Sequence, residues 1–379
     1  MDDVYKQSLD LHKKHRGKIE VISKVPLTNK AELSLAYTPG VAEVSREIGR
    51  DVELAYEYTI KGNTVAIVSD GSAILGLGNL GAHAAIPVME GKAAIFKEFA
   101  GIDAFPICVN TQDVEEIIAL VKNIAPVFGG INLEDISAPR CFEIEERLRA
   151  ELPIPVMHDD QHGTATVVLA GLINSLKLRG SKKEDVHVVM SGAGAAGTAI
   201  TKILLAYGFK HFIICDTQGA IFEGREGMNE EKRALARVTN SDKKMGTLAE
   251  VLHSADIFIG VSKPGLLTAE MVHTMAERPI IFALANPVPE IMPDIAKEAG
   301  AFVVATGRSD FPNQINNSLA FPGIFRGALD HRIKQFKEEM FVRAAEALAS
   351  YVTNPTPDQV LPQQFDNGLV AVVKEVIRD

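Results

Sequence analysis

The stretch VHVVMSGAGAAGTAITKILLAYGFKHFIICD (186–216) decides the fold. It opens on a β-branched run, VHVVMS, turns through glycines, continues as an apolar helix and ends in a second strand-like run, HFIIC (211–215). A strand, a glycine turn and a helix that starts inside the turn form the G-x-G-x-x-G pattern of a Rossmann-type dinucleotide-binding unit, here at 192–197. Gly192 permits the tight turn, Gly194 lets the backbone approach a pyrophosphate, and Gly197 lets the helix press on the sheet. The intervening Ala193, Ala195 and Ala196 are counted with them as cofactor-binding. The pyrophosphate is expected on the helix N-terminus, where free N–H groups and the helix dipole favour anions. Asp216, 19 residues past Gly197, ends the next strand, where a carboxylate can accept from the ribose hydroxyls. That carboxylate repels a 2′-phosphate, and Thr217 and Gln218 supply no cation to offset it. NAD is expected over NADP, with Arg225 close enough in sequence to leave NADP open.

A second match, GLGNLG (76–81), lacks this context. Gly76 lies eight residues beyond Val68, and the acidic residue at comparable spacing, Asp103, begins its strand instead of ending it. It reads as a glycine-rich loop lining a cleft. From Thr64 onward, strand-like runs at 64–69, 103–109, 126–131, 154–158, 186–191, 211–215, 255–261, 279–285 and 301–306 alternate with longer helical stretches such as 82–99, 112–124 and 139–150. Such alternation implies mostly parallel sheets covered on both faces. There are more strands than one doubly wound sheet needs, so the expected class is α/β with two domains. Each is a mostly parallel sheet flanked by helices, and the second is the Rossmann-type dinucleotide-binding domain. The boundary is placed between residues 160 and 161. The apolar helix Gly163–Leu178 is the expected bridge. The first 60 or so residues and the last 40 or so read as helical, packing as caps or against a second copy. Segment 331–350 reads as an amphipathic packing helix.

The chain has 379 residues, of which 46% are hydrophobic and 23% charged, an ordinary composition for a soluble globular protein. With 39 Lys and Arg against 49 Asp and Glu, the formal net charge is −10. That balance argues against a nucleic-acid partner, which requires a positive field to displace phosphate counterions. Three scattered cysteines, Cys108, Cys141 and Cys215, exclude a disulfide scaffold and fit a reducing compartment. The N-terminus carries no apolar core of signal-peptide length, and no run approaches the ~20 residues of a membrane helix. A cytoplasmic location without membrane attachment is expected.

Two acidic doublets, Glu134–Asp135 and Asp159–Asp160, each follow a predicted strand. Ligands of open α/β sheets bind beyond the carboxyl ends of strands, so the doublets are placed to meet there. Three carboxylates without cysteine suit Mg²⁺ or Mn²⁺. His158 and His162 flank the second doublet, but no spacing supports zinc, and hydrogen-bonding roles suit both better. The competing assignment is helix N-capping by Asp160 or Ser137, and the pattern alone favours capping.

At this point the sequence resembles the malic enzyme family, in its short bacterial form. The resemblance is carried by AYTPGVAEVS (36–45), SDGSAILGLGNLGAHAAIPVMEGKAAIFK (69–97), GGINLEDISAPRCFEIE (129–145), MHDDQHGTATVVLAGLIN (157–174), GAGAAG (192–197), ALANPVPEI (283–291) and NNSLAFPGIFRGAL (316–329). It implies oxidation of L-malate to pyruvate and CO₂ with a nicotinamide dinucleotide and a divalent ion, together with decarboxylation of oxaloacetate. It further implies Glu134, Asp135 and Asp160 as metal ligands, Lys92 as general base and Tyr37 as general acid. Asn286 and Asn317 are implied to hold substrate and the nicotinamide end. Asp159 is placed to orient Lys92, which has to be neutral to take the proton of the malate hydroxyl. Larger members carry an arginine before the ILGLG stretch where this chain has Ala73, so Ser72 is expected to substitute at the substrate. A homodimer is also implied. The alternatives are a malolactic enzyme, which releases lactate, and a catalytically idle dinucleotide- or dicarboxylate-binding protein.

Overall fold

Two parallel sheets organise the chain, which a computed structural model describes over residues 2–379 apart from Gly76. The first glycine of GLGNLG therefore lies outside the described residues. The first sheet contains β1 (Thr64–Ser69), β2 (Asp103–Cys108), β3 (Gly130–Leu133) and β4 (Val156–His158), in the order β2-β1-β3-β4 with every pair parallel. The second contains β5 (His187–Ser191), β6 (His211–Asp216), β7 (Gly219–Ala220), β8 (Ile257–Gly260), β9 (Ile280–Ala283) and β10 (Val303–Thr306). Its order is β10-β9-β8-β5-β6-β7, and only β7 runs antiparallel. All six residues of β1 are buried, as expected of a strand covered on both faces.

Two differences from the sequence expectation have local causes. β3 starts at Gly130 instead of Pro126, because Ala125–Val127 close a 3₁₀ turn around a proline that has no N–H to give a ladder. β7 is two residues long, too short to leave a pattern in the sequence.

Helix Asp159–Arg179 is the bridge. Its residues are buried all round from Ala165 to Leu172, Thr166 being the one polar side chain among them, so no single stripe faces a core and the whole girth is covered. Val167, Val168, Leu169 and Leu172 join one core with Val65 and Ile67 of the first sheet and Val188, Ile257 and Phe282 of the second. Each such side chain contributes about 1.5–3 kcal/mol by leaving water, so the two sheets share a core through this helix. Helix Glu338–Tyr351 packs against it through Met340, Phe341, Ala344, Ala345 and Leu348, the helical spacing expected of segment 331–350. Ile333 and Phe336, ahead of it, are also buried but lie outside the helix.

The N-terminal segment behaves differently. It forms helices Asp2–His15, Lys30–Ala36 and Val41–Arg50, yet no residue from 3 to 63 is buried. Leu9, Val21, Ile22 and Leu35 are all exposed. No helix among the described residues is long and apolar enough to cross a membrane.

Candidate active site

Each sheet reverses its winding once, at β1 in the first and at β5 in the second, and binding clefts form beyond the carboxyl ends of strands at such points. In this protein both ends open onto one cavity of about 910 Å³. From the first sheet's side it is lined by Glu134, Asp135 and Asp160, and from helix Ala82–Ala100 by Lys92. From the second come Ala196, Asn286 and Asn317. A neighbouring cavity of about 670 Å³ is lined by Gly192, Ala193, Gly194 and Asp216, and Ser262 and Lys263 border both.

The glycine turn has the shape that a phosphate cradle requires. A Cβ on Gly197 would lie 2.0 Å from the Gly192 carbonyl oxygen, so only hydrogen lets helix Ala195–Tyr207 sit this close to β5. A Cβ on Gly194 would meet nothing within 4 Å, which leaves bare backbone facing the cavity. Glu290, not singled out in the sequence, is fully buried and accepts from the Ser262 N–H at 2.9 Å and the Ala285 N–H at 3.0 Å. It ties together the loops after β8 and β9; its only sequence signal was a carboxylate inside an apolar stretch.

Lys92 is 7% exposed, donates to Asp159, lies 2.8 Å from Glu134 Oε1 and rests over the Phe321 ring at 4.2 Å. Burial pulls its ammonium down, but the charges of Asp159 and Glu134 outweigh burial and hold it well above the ordinary lysine range. These carboxylates favour the ammonium form, so the neutral amine expected of a base requires their charge to be offset by a cation. Asp159 folds over Gly163, where a Cβ would come within 1.8 Å of its Oδ1.

Asp135 adopts φ +53°, a left-handed conformation rare for a side-chain-bearing residue. Burial and the Asp160 charge push its carboxyl up to about 7. Asp135 Oδ2 and Asp159 Oδ1 are buried oxygens without a hydrogen-bond partner. An excess of buried carboxylate with unused oxygens fits a hard divalent cation. Among the described residues no three such side chains are already gathered as a metal site. Glu134 is held by Lys92 and by Asn132 Nδ2 at 3.0 Å, and Asp160 Oδ2 accepts from the Asp135 N–H at 2.9 Å. Neither Asp160 nor Ser137 caps a helix; the caps are His158 and Pro139, and neither makes a side-chain cap bond. His162 bonds Glu145 at 2.9 Å, as expected, whereas both ring nitrogens of His158 lack a hydrogen-bond partner.

Two expected residues fall elsewhere. Ser72 Oγ donates to Asp70 Oδ1 at 2.5 Å and accepts from the Ser137 N–H at 2.8 Å and Arg140 Nη2 at 3.0 Å. One donor and two acceptor positions are all that a hydroxyl has, so Ser72 clamps loops together instead of meeting a substrate. Tyr37 is 67% exposed at the end of helix Lys30–Ala36 and lines neither cavity.

Asp216 ends β6 as expected, but its carboxylate is engaged by cations that the sequence reading did not count. Arg225 grips both its oxygens, at 2.9 and 2.5 Å, and Lys232 Nζ lies 2.6 Å from Oδ2. Burial opposes ionisation, but these donors prevail and hold the carboxyl well below the usual range. Its charge is thus offset by two cations, one of them, Lys232, missed in the sequence because a helix in the next segment carries it. Asp216 alone no longer argues against a 2′-phosphate.

Fold and cavity together define an α/β protein with a dinucleotide cradle beside a lysine–carboxylate cluster. Residues 16–149 match the malic enzyme N-terminal domain and residues 161–376 the malic enzyme NAD binding domain. The chain belongs to the malic enzyme family. It is 57% identical to the bifunctional malic/malolactic enzyme of Bacillus subtilis, over 98% of this chain and 91% of that one. It is also 57% identical to the NAD-dependent malic enzyme of Geobacillus stearothermophilus, over 95% and 76%. The crystal structure of the NAD-dependent malic enzyme from Thermotoga maritima superposes with a TM-score of 0.95 at 50% identity, covering 97% of this chain and 98% of that one. Proteins named NADP-dependent malic enzymes match as well, at 51% identity or less.

Proposed function

We propose that this chain oxidises L-malate to pyruvate and CO₂ with NAD, depends on Mg²⁺ or Mn²⁺, and also decarboxylates oxaloacetate. The observation that carries this reading is a buried lysine, Lys92, held between Asp159 and Glu134 in a cavity that the dinucleotide sheet also lines. Lys92, neutral once a cation offsets the charge of Glu134 and Asp159, would take the proton of the C2 hydroxyl as C2 is oxidised, and a bound nicotinamide would supply the hydride acceptor. Glu134, Asp135 and Asp160 would hold a divalent ion, whose charge would make that hydroxyl more acidic and draw Glu134 away from Lys92. Asp159 fixes the direction of the Lys92 amine. Asn286 and Asn317 hold the substrate and the nicotinamide end, and Tyr37 protonates C3 after CO₂ departs.

We assign Tyr37 to the cavity of a second copy in a homodimer, because within its own chain it is exposed and outside the cavity. In this reading a substrate and metal domain ends at residue 160, a dinucleotide domain follows from 161, and the enzyme works in the cytoplasm on small molecules alone.

The test is absorbance at 340 nm with L-malate, Mn²⁺ and NAD, with pyruvate and lactate assayed at the end. Rising absorbance matched by pyruvate is expected. Lys92→Ala should cost ~10²–10⁴-fold in turnover, the usual contribution of a general base, while circular dichroism and NADH binding persist. Lactate without net absorbance would move the protein to malolactic chemistry, and near-normal turnover of the variant would remove Lys92 as the base.

A further inference from the structure

The carboxylate at the end of β6 has no lone pair left for a ribose. A carboxylate offers about four acceptor positions. Asp216 Oδ1 takes the Gln218 N–H at 2.9 Å and Arg225 Nη1 at 2.9 Å. Its Oδ2 takes Arg225 Nη2 at 2.5 Å and Lys232 Nζ at 2.6 Å. Formal charge at the cluster is one carboxylate against two cations, a net of +1. NAD presents two hydroxyls here that need an acceptor, whereas NADP presents a 2′-phosphate that needs cations.

The two cations are not equivalent. Arg225 is 11% exposed and also donates Nη1 to the Gly219 and Ala220 carbonyls, at 3.2 Å each, so it is fixed in place. Lys232 is 28% exposed, lines the 670 Å³ cavity and holds Asp216 by its ammonium alone. Its backbone sits in the first turn of helix Glu230–Val238, anchored by the Asn229 cap at 3.0 Å, while its four-carbon stem is free to turn.

We propose that Lys232 sets the dinucleotide choice: it turns from Asp216 to the 2′-phosphate, so that the chain takes NADP as well as NAD. This rests on reading the cavity as the dinucleotide site. With NAD, Lys232 has to yield Oδ2 to the ribose hydroxyls. With NADP, it moves to the phosphate while Arg225 continues to neutralise Asp216.

Calorimetric titration of the full-length protein with NADH and NADPH, without malate or metal, separates the possibilities. Wild type is expected to bind NADPH within tenfold of NADH. Lys232→Ala should weaken NADPH at least tenfold and tighten NADH several-fold by freeing Oδ2, and Lys232→Arg should restore NADPH. NADPH binding should also fall more steeply with salt. Wild type binding NADH but NADPH more than a hundredfold more weakly would overturn the proposal, as would equal weakening of both by Lys232→Ala. Failure of NADH itself to bind would instead bring down the dinucleotide reading.

Discussion

Gly163 shows how a single missing methyl group holds the candidate site together. It lies one turn beyond Asp159 on the bridging helix, and a Cβ there would meet Asp159 Oδ1 at 1.8 Å and Asn317 Cβ at 3.0 Å. Replacing a mid-helix glycine by alanine ordinarily gains about 0.5–1 kcal/mol. Here the sign should reverse, since the methyl displaces the carboxylate that bonds Lys92. We expect Gly163→Ala to destabilise by about 1–3 kcal/mol, the usual cost of overpacking, and to lower kcat. Thermal unfolding and turnover together check this, and a more stable, fully active variant would refute the close approach. Asp135 shows the same economy of space. Its left-handed backbone lies beside Asp160, whose Oδ2 accepts from the Asp135 N–H, and this brings both carboxylates to one side of the cavity.

At the scale of elements, the glycine turn separates packing from binding. Gly197 is where helix Ala195–Tyr207 touches the turn after β5, and Gly194 is where the turn faces open space. Gly197→Ala forces the helix away from the strand and should lower the unfolding midpoint and weaken NADH together. Gly194→Ala changes no contact of the fold, so its midpoint should stay close to wild type while NADH affinity falls, because the new methyl occupies the cradle. Calorimetry and thermal unfolding of both variants read this out. Equal effects of the two on stability would show that the turn is a packing device only.

For the whole molecule, the unburied N-terminal segment is the feature that one copy of the chain leaves unexplained. Val21, Ile22, Leu35 and Tyr37 are each at least two-thirds exposed, although their types favour burial. The proposed homodimer, with Tyr37 serving the other chain's Lys92, is tested by mixing two inactive chains. Co-expressing Tyr37→Phe with Lys92→Ala chains then gives mixed dimers with one intact site. About a quarter of wild-type activity should return for a two-fold dimer assorting at random. No recovery, from a species that light scattering shows to be dimeric, would place both residues in the same chain's site.

The sequence by itself determined the two sheets, the glycine turn and the bridging helix, because strand and helix periods and glycine spacing are local signals. The strands expected at 64–69 and 186–191 appear at Thr64–Ser69 and His187–Ser191, and Asp216 ends its strand as read. The doublets could not be told from helix caps by spacing. Only the parallel pairing of β3 with β4 brings Asp135 within reach of Asp160 and leaves the caps to His158 and Pro139. The commitment of the Ser72 hydroxyl, the charge held on Lys92 and the cations on Asp216 were likewise illegible. Each depends on partners far along the chain or in another element: Arg140 for Ser72, Asp159 for Lys92, Lys232 for Asp216. A side chain's charge and free lone pairs are set by whatever lies within about 3 Å of it, and tertiary structure alone decides that.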